Sequence, residues 1–513
     1  MEEGLTSKGP ARGRFPYRPI PPNGLQCSME IRGEVKEKSI RGGVARLVGQ
    51  VVKTLVRIGM IVILARLLDP SDFGLVAMVT VVTVFLEIFA TGGLSAAAVQ
   101  RPNISDAELS TLFWCNIALG TLLALLCLAA APVLSNFYNE PKTALVIVAI
   151  APTFIINATG VQHLVLLQRH LRYITLTAIE VGSEIVTAAV AIGMAVAGYG
   201  YWAIVASVIT APIVITIGAW ATSGWLPGWP RRIRDVYPML RFGGTITLNY
   251  LVVYVAYSLD KVLIGRVYGP ASLGIYGRAY ELINLPTRII NAALGVVAFS
   301  SLARLQGEPA RLKNYFLKGY SLAVSITLPA TIACVVFADD IILVTLGPKW
   351  TEASTIFRLL SPTILVLGMI NPLSWLLQSV GLQERSLKIG LVLALLVICS
   401  YLVGLPYGPS GIALAFSTTM VLWLVPHICW CLHGTTISVR ELLSAPGRAL
   451  LSGTAAAIAA ASVQHLATPV SSAILRLALG GTVMLAVYIL ALLFVMGQST
   501  FYFGLLRGLR RAS

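Results

Sequence analysis

From residue 44 onward, apolar runs of about 20 residues alternate with short polar connections, and each run is long enough to cross roughly 30 Å of hydrocarbon as a helix. Fourteen runs are expected, at about 44–67, 73–98, 109–131, 143–166, 175–197, 201–221, 243–267, 273–299, 315–337, 354–377, 387–405, 411–432, 449–466 and 473–497. Lys and Arg collect in alternate connections. One set holds Arg101, Arg169 and Arg172, the cluster Arg231, Arg232, Arg234 and Arg241, and further groups around 304–318, 385–388, 440–448 and 507–511; the other holds only Arg66, Lys142, Arg266 and Lys349. The cation-rich set, with both termini, is therefore expected on the cytoplasmic side. Residues 1–43 are polar, basic and Pro-bearing with no apolar core, so they are expected to form a disordered cytoplasmic tail rather than a signal peptide, and 498–513 a basic cytoplasmic C-terminus.

The pattern repeats. ILARLLDPSDFGLVA at 63–77 returns as LIGRVYGPASLGIYG at 263–277, aligning Arg66 with Arg266, Pro70 with Pro270 and Gly74 with Gly274 at an offset of 200. APT at 151–153 and LLQ at 166–168 return as SPT at 361–363 and LLQ at 376–378. Each half holds an even number of runs, so the repeats are parallel and related by an axis along the membrane normal. The expected fold class is an all-α polytopic membrane protein: a first six-helix lobe (44–221), a linker (222–242) that is a hinge candidate by position, a second six-helix lobe (243–432), and an accessory pair within 433–497 without repeat partners.

Composition narrows the class. The 513 residues are 57% hydrophobic and 12% charged, with a mean hydropathy of +0.81, far from a soluble domain. The formal charge of +16 is spread through connections rather than gathered into a basic patch with interleaved aromatics, so no nucleic-acid partner is expected. Seven scattered cysteines give no disulfide framework, and no metal is expected; Cys429 and Cys431, one residue apart on a helix, point away from each other. The five histidines form no pair at metal or base spacing, no Gly-x-x-x-x-Gly-Lys phosphate loop exists, and the longest outer connection, 338–353, is short for a catalytic domain. The chain is not expected to be an enzyme.

Charged residues inside the runs are the functional candidates. Arg46, Gln50, Lys53 and Arg57 recur at i, i+4, i+7 and i+11, one stripe of a helix that lipid cannot solvate but a water-filled or anion-filled cavity can. Arg46 has a second reading, snorkelling to the cytoplasmic surface. The equivalent run of the second half carries Tyr250, Tyr254, Tyr257 and Lys261 at the same spacing, with Asn249 and Asp260 alongside; Asp260 and Lys261 read as a surface pair near the outer end. The next run places Glu281, Asn284, Arg288 and Asn291 on a second polar stripe, with Arg278 near its end. Glu87, and Glu180 with Glu184 one turn apart beside Thr177 and Thr187, are intramembrane carboxylates. Glu87 reads either as compensation for Lys53 or Arg57 or as an ion-coupling group; Glu180 and Glu184 read as a coupling pair unless Glu180 is solvated among headgroups. Arg358 and Arg476 read as single charges that snorkel.

The turn ARLLDPSDFGLVA, its echo at 265–277 and the two-lobe plan with a late helix pair resemble the Wzx-type polysaccharide transporters, in particular the WzxC-like exopolysaccharide transporters, of the multidrug/oligosaccharidyl-lipid/polysaccharide exporter superfamily. The resemblance covers about 44–497. It implies a flippase of the bacterial inner membrane that moves an undecaprenyl-diphosphate-linked oligosaccharide by alternating access. For such a cargo, Arg46, Lys53, Arg57 and Arg288 are candidate diphosphate ligands, since Arg grips phosphate with paired hydrogen bonds. Tyr250, Tyr254, Tyr257, Asn249 and Asn284 are candidate glycan contacts, with inter-helix packing the competing reading of the tyrosines. Glu87, Glu180, Glu184, Glu281 and Asp260 are candidates for ion coupling or charge compensation. No cofactor is expected, and a proton or sodium gradient is the candidate energy source; membrane lipids and polysaccharide polymerase or export machinery are the candidate partners. The competing functions are a drug or cation exporter of the same superfamily, which calls for an acidic cavity, and a non-transporting scaffold of an assembly complex.

Overall fold

The computed structural model describes residues 26–91, 104–230, 237–466, 472–499 and 502, though not, within helices, the side chains of 26–40, 90–91, 237–250, 252–253, 292–293, 296–297 and 300. Among the described residues every regular element is helical. Helix α1 runs Gln26–Leu67, α2 Pro70–Thr91, α3 Asp106–Tyr138, α4 Lys142–Ile150, α5 Pro152–Arg169, α6 Tyr173–Val196 and α7 Trp202–Ser223. The second half follows with α8 (Tyr237–Arg304), α9 (Pro309–Val336), α10 (Ala338–Thr345), α11 (Thr351–Leu360), α12 (Pro362–Ser379), α13 (Gln383–Gly404) and α14 (Gly408–Leu432). A short α15 (Val439–Ser444) leads to the accessory α16 (Gly447–Leu466) and α17 (Ala473–Leu490). Helix α1 starts within the segment expected to be a disordered tail, where Glu34 and Lys38 stand one turn apart and no proline interrupts the chain. Residues 1–25 and 503–513 of the expected tails lie outside the described residues.

Among the described residues, ten helical stretches are long and apolar enough to cross a membrane, eleven with a pair bent by 41° at Pro348–Leu360 and Pro362–Ser379. One of the ten, Gln383–Leu432, holds two helices, and the 68-residue α8 lies outside that count, so the fourteen expected runs are compatible with what is observed. The repeated prolines explain the breaks. Pro152 and Pro362 open α5 and α12 at N1, where the missing N–H costs nothing, so each APT or SPT copy cuts one long span in two. In α8 the fold-back falls at Gly269, at φ 78°, a left-handed conformation that glycine adopts freely, immediately before Pro270.

The two copies of the repeated turn pack on each other. A Cβ added to Gly74 would lie 1.7 Å from the Pro270 carbonyl oxygen, and one added to Gly274 would lie 1.8 Å from the Pro70 carbonyl oxygen. This reciprocity is the signature of a pseudo-two-fold axis between the lobes. Around it lies the largest hydrophobic cluster, which draws Leu64, Ala65, Leu68, Phe73 and Met78 from α1 and α2 together with Ile264, Leu273, Tyr276 and Trp350 from the second half. A separate cluster fills the first lobe, from Leu75 to Val205, and another joins α16 and α17 to α9 through Leu328, Ile332, Phe337, Ala456 and Met484. The linker begins on the first lobe: Trp114 Nε1 donates to Gly228 O at 2.9 Å, Gly228 N to Ser110 Oγ at 2.9 Å, and Trp229 stacks on Trp114. Its residues 231–236 lie outside the described residues.

Substituting Gly74→Ala or Gly274→Ala should overpack the turn contact and cost about 1–3 kcal/mol. Gly59→Ala, whose added Cβ meets nothing within 4 Å in mid-helix, should be neutral or stabilising. Thermal unfolding of the three purified variants checks the contrast.

Candidate functional site

One face of α1 changes character along its length. Arg46, Gln50 and Arg57 are exposed and Lys53 half-buried, whereas Ile61, Leu64 and Leu68, which continue the same face, are 8%, 3% and 4% exposed. The buried part lies in the cluster shared by both halves. Toward the other end α1 is open on its remaining faces too, with Leu47, Val51 and Leu55 67%, 59% and 64% exposed, and the cationic stripe lies in this open stretch.

The stripe is held from within the first lobe by α6. The two helices run side by side in register: a Cβ on Gly42 would meet Tyr173 and one on Gly49 would meet Thr177, while the Arg46 guanidinium sits 5.9 Å from the centre of the Tyr173 ring. Two turns on, Lys53 Nζ donates to Glu180 Oε2 in an ion pair whose side chains are 23% and 25% exposed. The partner of Lys53 is thus Glu180, where Glu87 on α2 had been the expected compensator. The same register brings Glu184 to the level of Arg57. A cleft of about 390 Å³ opens at this end of the stripe, lined by Gly42, Gly43, Arg46, Gln168 and Tyr173.

The second lobe uses its polar residues differently. Asn249 and Tyr250 lie outside the described residues. Tyr254 donates its hydroxyl across the halves to Val81 O at 2.8 Å, and Tyr257 packs against the shared cluster. Asp260 corrects the expectation of a surface pair with Lys261: it is fully buried, accepting from Tyr276 Oη at 2.9 Å and from the Lys261 amide at 2.7 Å. The fold-back at Gly269 lays Tyr276 over it, while the Lys261 ammonium turns to the Tyr280 ring at 5.3 Å. Glu281 pairs with Arg278 at 2.7 Å, one turn away on its own helix, Asn284 donates to the Tyr280 carbonyl at 3.0 Å, and Arg288 is exposed. The structure therefore pairs Lys53 with Glu180 and sets Arg46 beside Tyr173 along α1 and α6, and leaves Tyr254, Tyr257 and Asp260 in another neighbourhood.

The sequence offered Arg66 and Arg266 as repeat markers and as outer-side cations, but each crosses to the opposite half and meets the end of a helix. Arg66 Nη2 donates to Val344 O, at the end of α10, at 2.6 Å. Arg266 Nη1 donates to the Asn139 amide oxygen at 3.1 Å, with the amide oriented to donate to Asn136 O, and its guanidinium lies 5.7 Å from the Phe137 ring at the end of α3. A cation suits the negative end of a helix dipole. Around Arg66, Lys349 Nζ bonds Asp69 Oδ1 at 2.7 Å, the buried Trp350 donates to Ala65 O at 2.8 Å, and Trp350 meets Phe73 edge-on at 5.3 Å. The 338–353 connection, expected to be a loop, is the partner half of this closure. Arg358 and Arg476 are also corrected from snorkelling charges to paired ones, with Asp339 at 2.6 Å and Asp340 at 2.5 Å. Burial alone would raise the Asp339 carboxyl, but hydrogen bonds from Ser354 and Arg358 and the charge of Arg358 hold it below the usual carboxylate range.

Two cross-contacting lobes of membrane-length helices, built from a parallel repeat, define the fold. It is shared with a lipid II flippase, MurJ, in an inward closed conformation, at a TM-score of 0.72 with 13% identity over 91% of this chain and 99% of that one. It is also shared with a multidrug-resistance MATE transporter of the MOP superfamily in an inward-facing conformation, at a TM-score of 0.56 with 14% identity over 74% and 93%. The chain belongs to the polysaccharide biosynthesis protein family, which it matches over residues 63–355, more than half its length. Among its relatives are the lipopolysaccharide biosynthesis protein WzxC of Escherichia coli, 24% identical over 76% of this chain and 80% of that protein, and the teichuronic acid biosynthesis protein TuaB of Bacillus subtilis, 30% identical over 62% and 66%. It is a multi-pass membrane protein of a family of transporters, not enzymes.

Removing one member of the Lys53–Glu180 pair should destabilise the protein more than removing both. Melting of Lys53→Gln, Glu180→Gln and the double variant should yield a coupling of about 0.5–3 kcal/mol.

Proposed function

We propose that the protein translocates an undecaprenyl-diphosphate-linked oligosaccharide across the bacterial inner membrane, for exopolysaccharide, capsule or O-antigen synthesis, by alternating access. The observation that carries this reading is the face of α1 that is cationic and exposed from Arg46 to Arg57 and apolar and buried from Ile61 to Leu68. A lipid diphosphate drawn between the lobes must exchange water for protein donors, and this face offers guanidinium and ammonium groups in a region lipid cannot solvate. With the cation-rich connections and both termini cytoplasmic, the repeated turns, which meet in the described conformation, face outward.

In this reading Arg46, Arg57 and Arg288 hold the diphosphate, and Lys53 joins them on release from Glu180. Asn284 and the tyrosine run Tyr250, Tyr254 and Tyr257, with Asn249, contact the glycan. Glu180 is the carboxylate best placed for coupling to a proton or sodium gradient, because cargo phosphate competes with it for Lys53; Glu184, Glu87, Glu281 and Asp260 are the remaining candidates. The names of relatives acting in lipopolysaccharide, teichuronic acid and succinoglycan synthesis support a saccharide cargo. An exporter of cationic drugs fits less well, since the exposed stripe is itself cationic.

Reconstitution into liposomes with a lipid-linked oligosaccharide tests the proposal. Leaflet exchange should require the protein and respond to an imposed proton or sodium gradient. Arg57→Gln combined with Lys53→Gln should lower exchange about tenfold or more, at unchanged membrane insertion, since each replaced residue loses a charge-assisted bond to phosphate. Unchanged exchange in that variant would refute the cationic cavity.

A further inference from the structure

Helix α10 is held from two directions at once. At its end, the Val344 carbonyl accepts from Arg66 of the first lobe. One turn earlier on the same face, Asp340, 1% exposed, accepts from Arg476 of α17 through Nη2 at 2.5 Å and Nε at 3.1 Å, and from Gln464 Nε2 of α16 at 2.8 Å. The accessory helices also touch the second lobe through apolar packing on Leu328 and Ile332 of α9, Phe337, Ile341 of α10 and Leu365, and through a bond from Tyr488 Oη to Ser325 O at 2.9 Å. Apolar packing of that kind tolerates sliding. A buried carboxylate whose Oδ1 takes two guanidinium donors and whose Oδ2 takes an amide does not, because a shift that separates them leaves an uncompensated charge.

We infer that Asp340, Arg476 and Gln464 are positioning residues for the closure between the lobes: they fix α10 so that Val344 and the following Trp350 meet Arg66 and Ala65. The accessory pair thereby sets how firmly the repeat-turn end stays shut, and displacement of α16 and α17 by lipid or cargo would loosen it. The inference rests on the alternating-access reading, in which this end must open.

The test labels Ala65→Cys with a membrane-impermeant maleimide and reads that site by peptide mass spectrometry. Ala65 is fully buried beneath Trp350 in the closed state. Arg476→Gln should raise labelling roughly tenfold, Arg476→Lys should restore most of the closure, and Gln464→Leu should give a smaller rise. Arg66→Gln is the reference that opens the closure directly, and adding Arg476→Gln to it should raise labelling no further, because both act through α10. If Arg66→Gln raises labelling and Arg476→Gln does not, or if the Gln and Lys variants behave alike, the positioning role is overturned while the alternating-access reading stands. If neither Arg66→Gln nor Arg476→Gln raises it, both fall.

Discussion

At Pro70–Gly74 and Pro270–Gly274 two backbones approach so closely that no side chain can stand between them. The rest of the arrangement depends on that contact. It requires glycine in both copies, it brings α2 against α8, and it sets the axis about which the halves correspond. It also places each repeat arginine within reach of a helix end in the opposite half, so backbone contact and charge pairing close the same place. A closure made of glycine contacts and a few directional bonds has two defined arrangements, met or parted, rather than a continuum.

Away from the contact, the energetics of charge in a membrane decide what each lobe exposes. On the first lobe the stripe of α1 stays accessible, steadied by the Lys53–Glu180 pair and by the ring of Tyr173. On the second, Asp260 is buried beneath Tyr276 and Glu281 is paired with Arg278, while Arg288 is exposed. An isolated charge in hydrocarbon is costly, so each buried carboxylate here carries a donor. The two lobes share a backbone plan and differ in where their charge points, which suits a cargo with a diphosphate at one end and sugar at the other.

Much of this was legible in the sequence, for reasons that differ by residue. Apolar run length gave the helical, membrane-spanning plan, and the offset of 200 between the Arg-Pro-Gly copies gave the pairing of halves, because repeated turn chemistry demands repeated geometry. The APT and SPT copies marked the repeat, but the helix breaks at Pro152 and Pro362 fall inside runs expected to be continuous. Spacing could place Arg46, Lys53 and Arg57 on one face, but it pointed to Glu87 for compensation and missed Glu180 as the partner of Lys53, which depends on how α1 lies against α6. It misjudged Asp260, because Gly269 reverses the chain and covers it. It also treated Arg66, Arg266, Arg358 and Arg476 as alignment marks or stray surface charges; their partners lie far along the chain, and only tertiary packing brings them together.

The central claim is that the two lobes rock about the repeat-turn contact to pass an anionic lipid-linked saccharide. Distance measurements between spin labels on the two lobes, one pair near the repeat turns and one near the Arg46 end of α1, test it directly in reconstituted protein with and without lipid-linked oligosaccharide. The account predicts opposite changes, the turn-end distance lengthening as the other shortens. Distances that stay fixed at both ends, or move in the same sense, would contradict it.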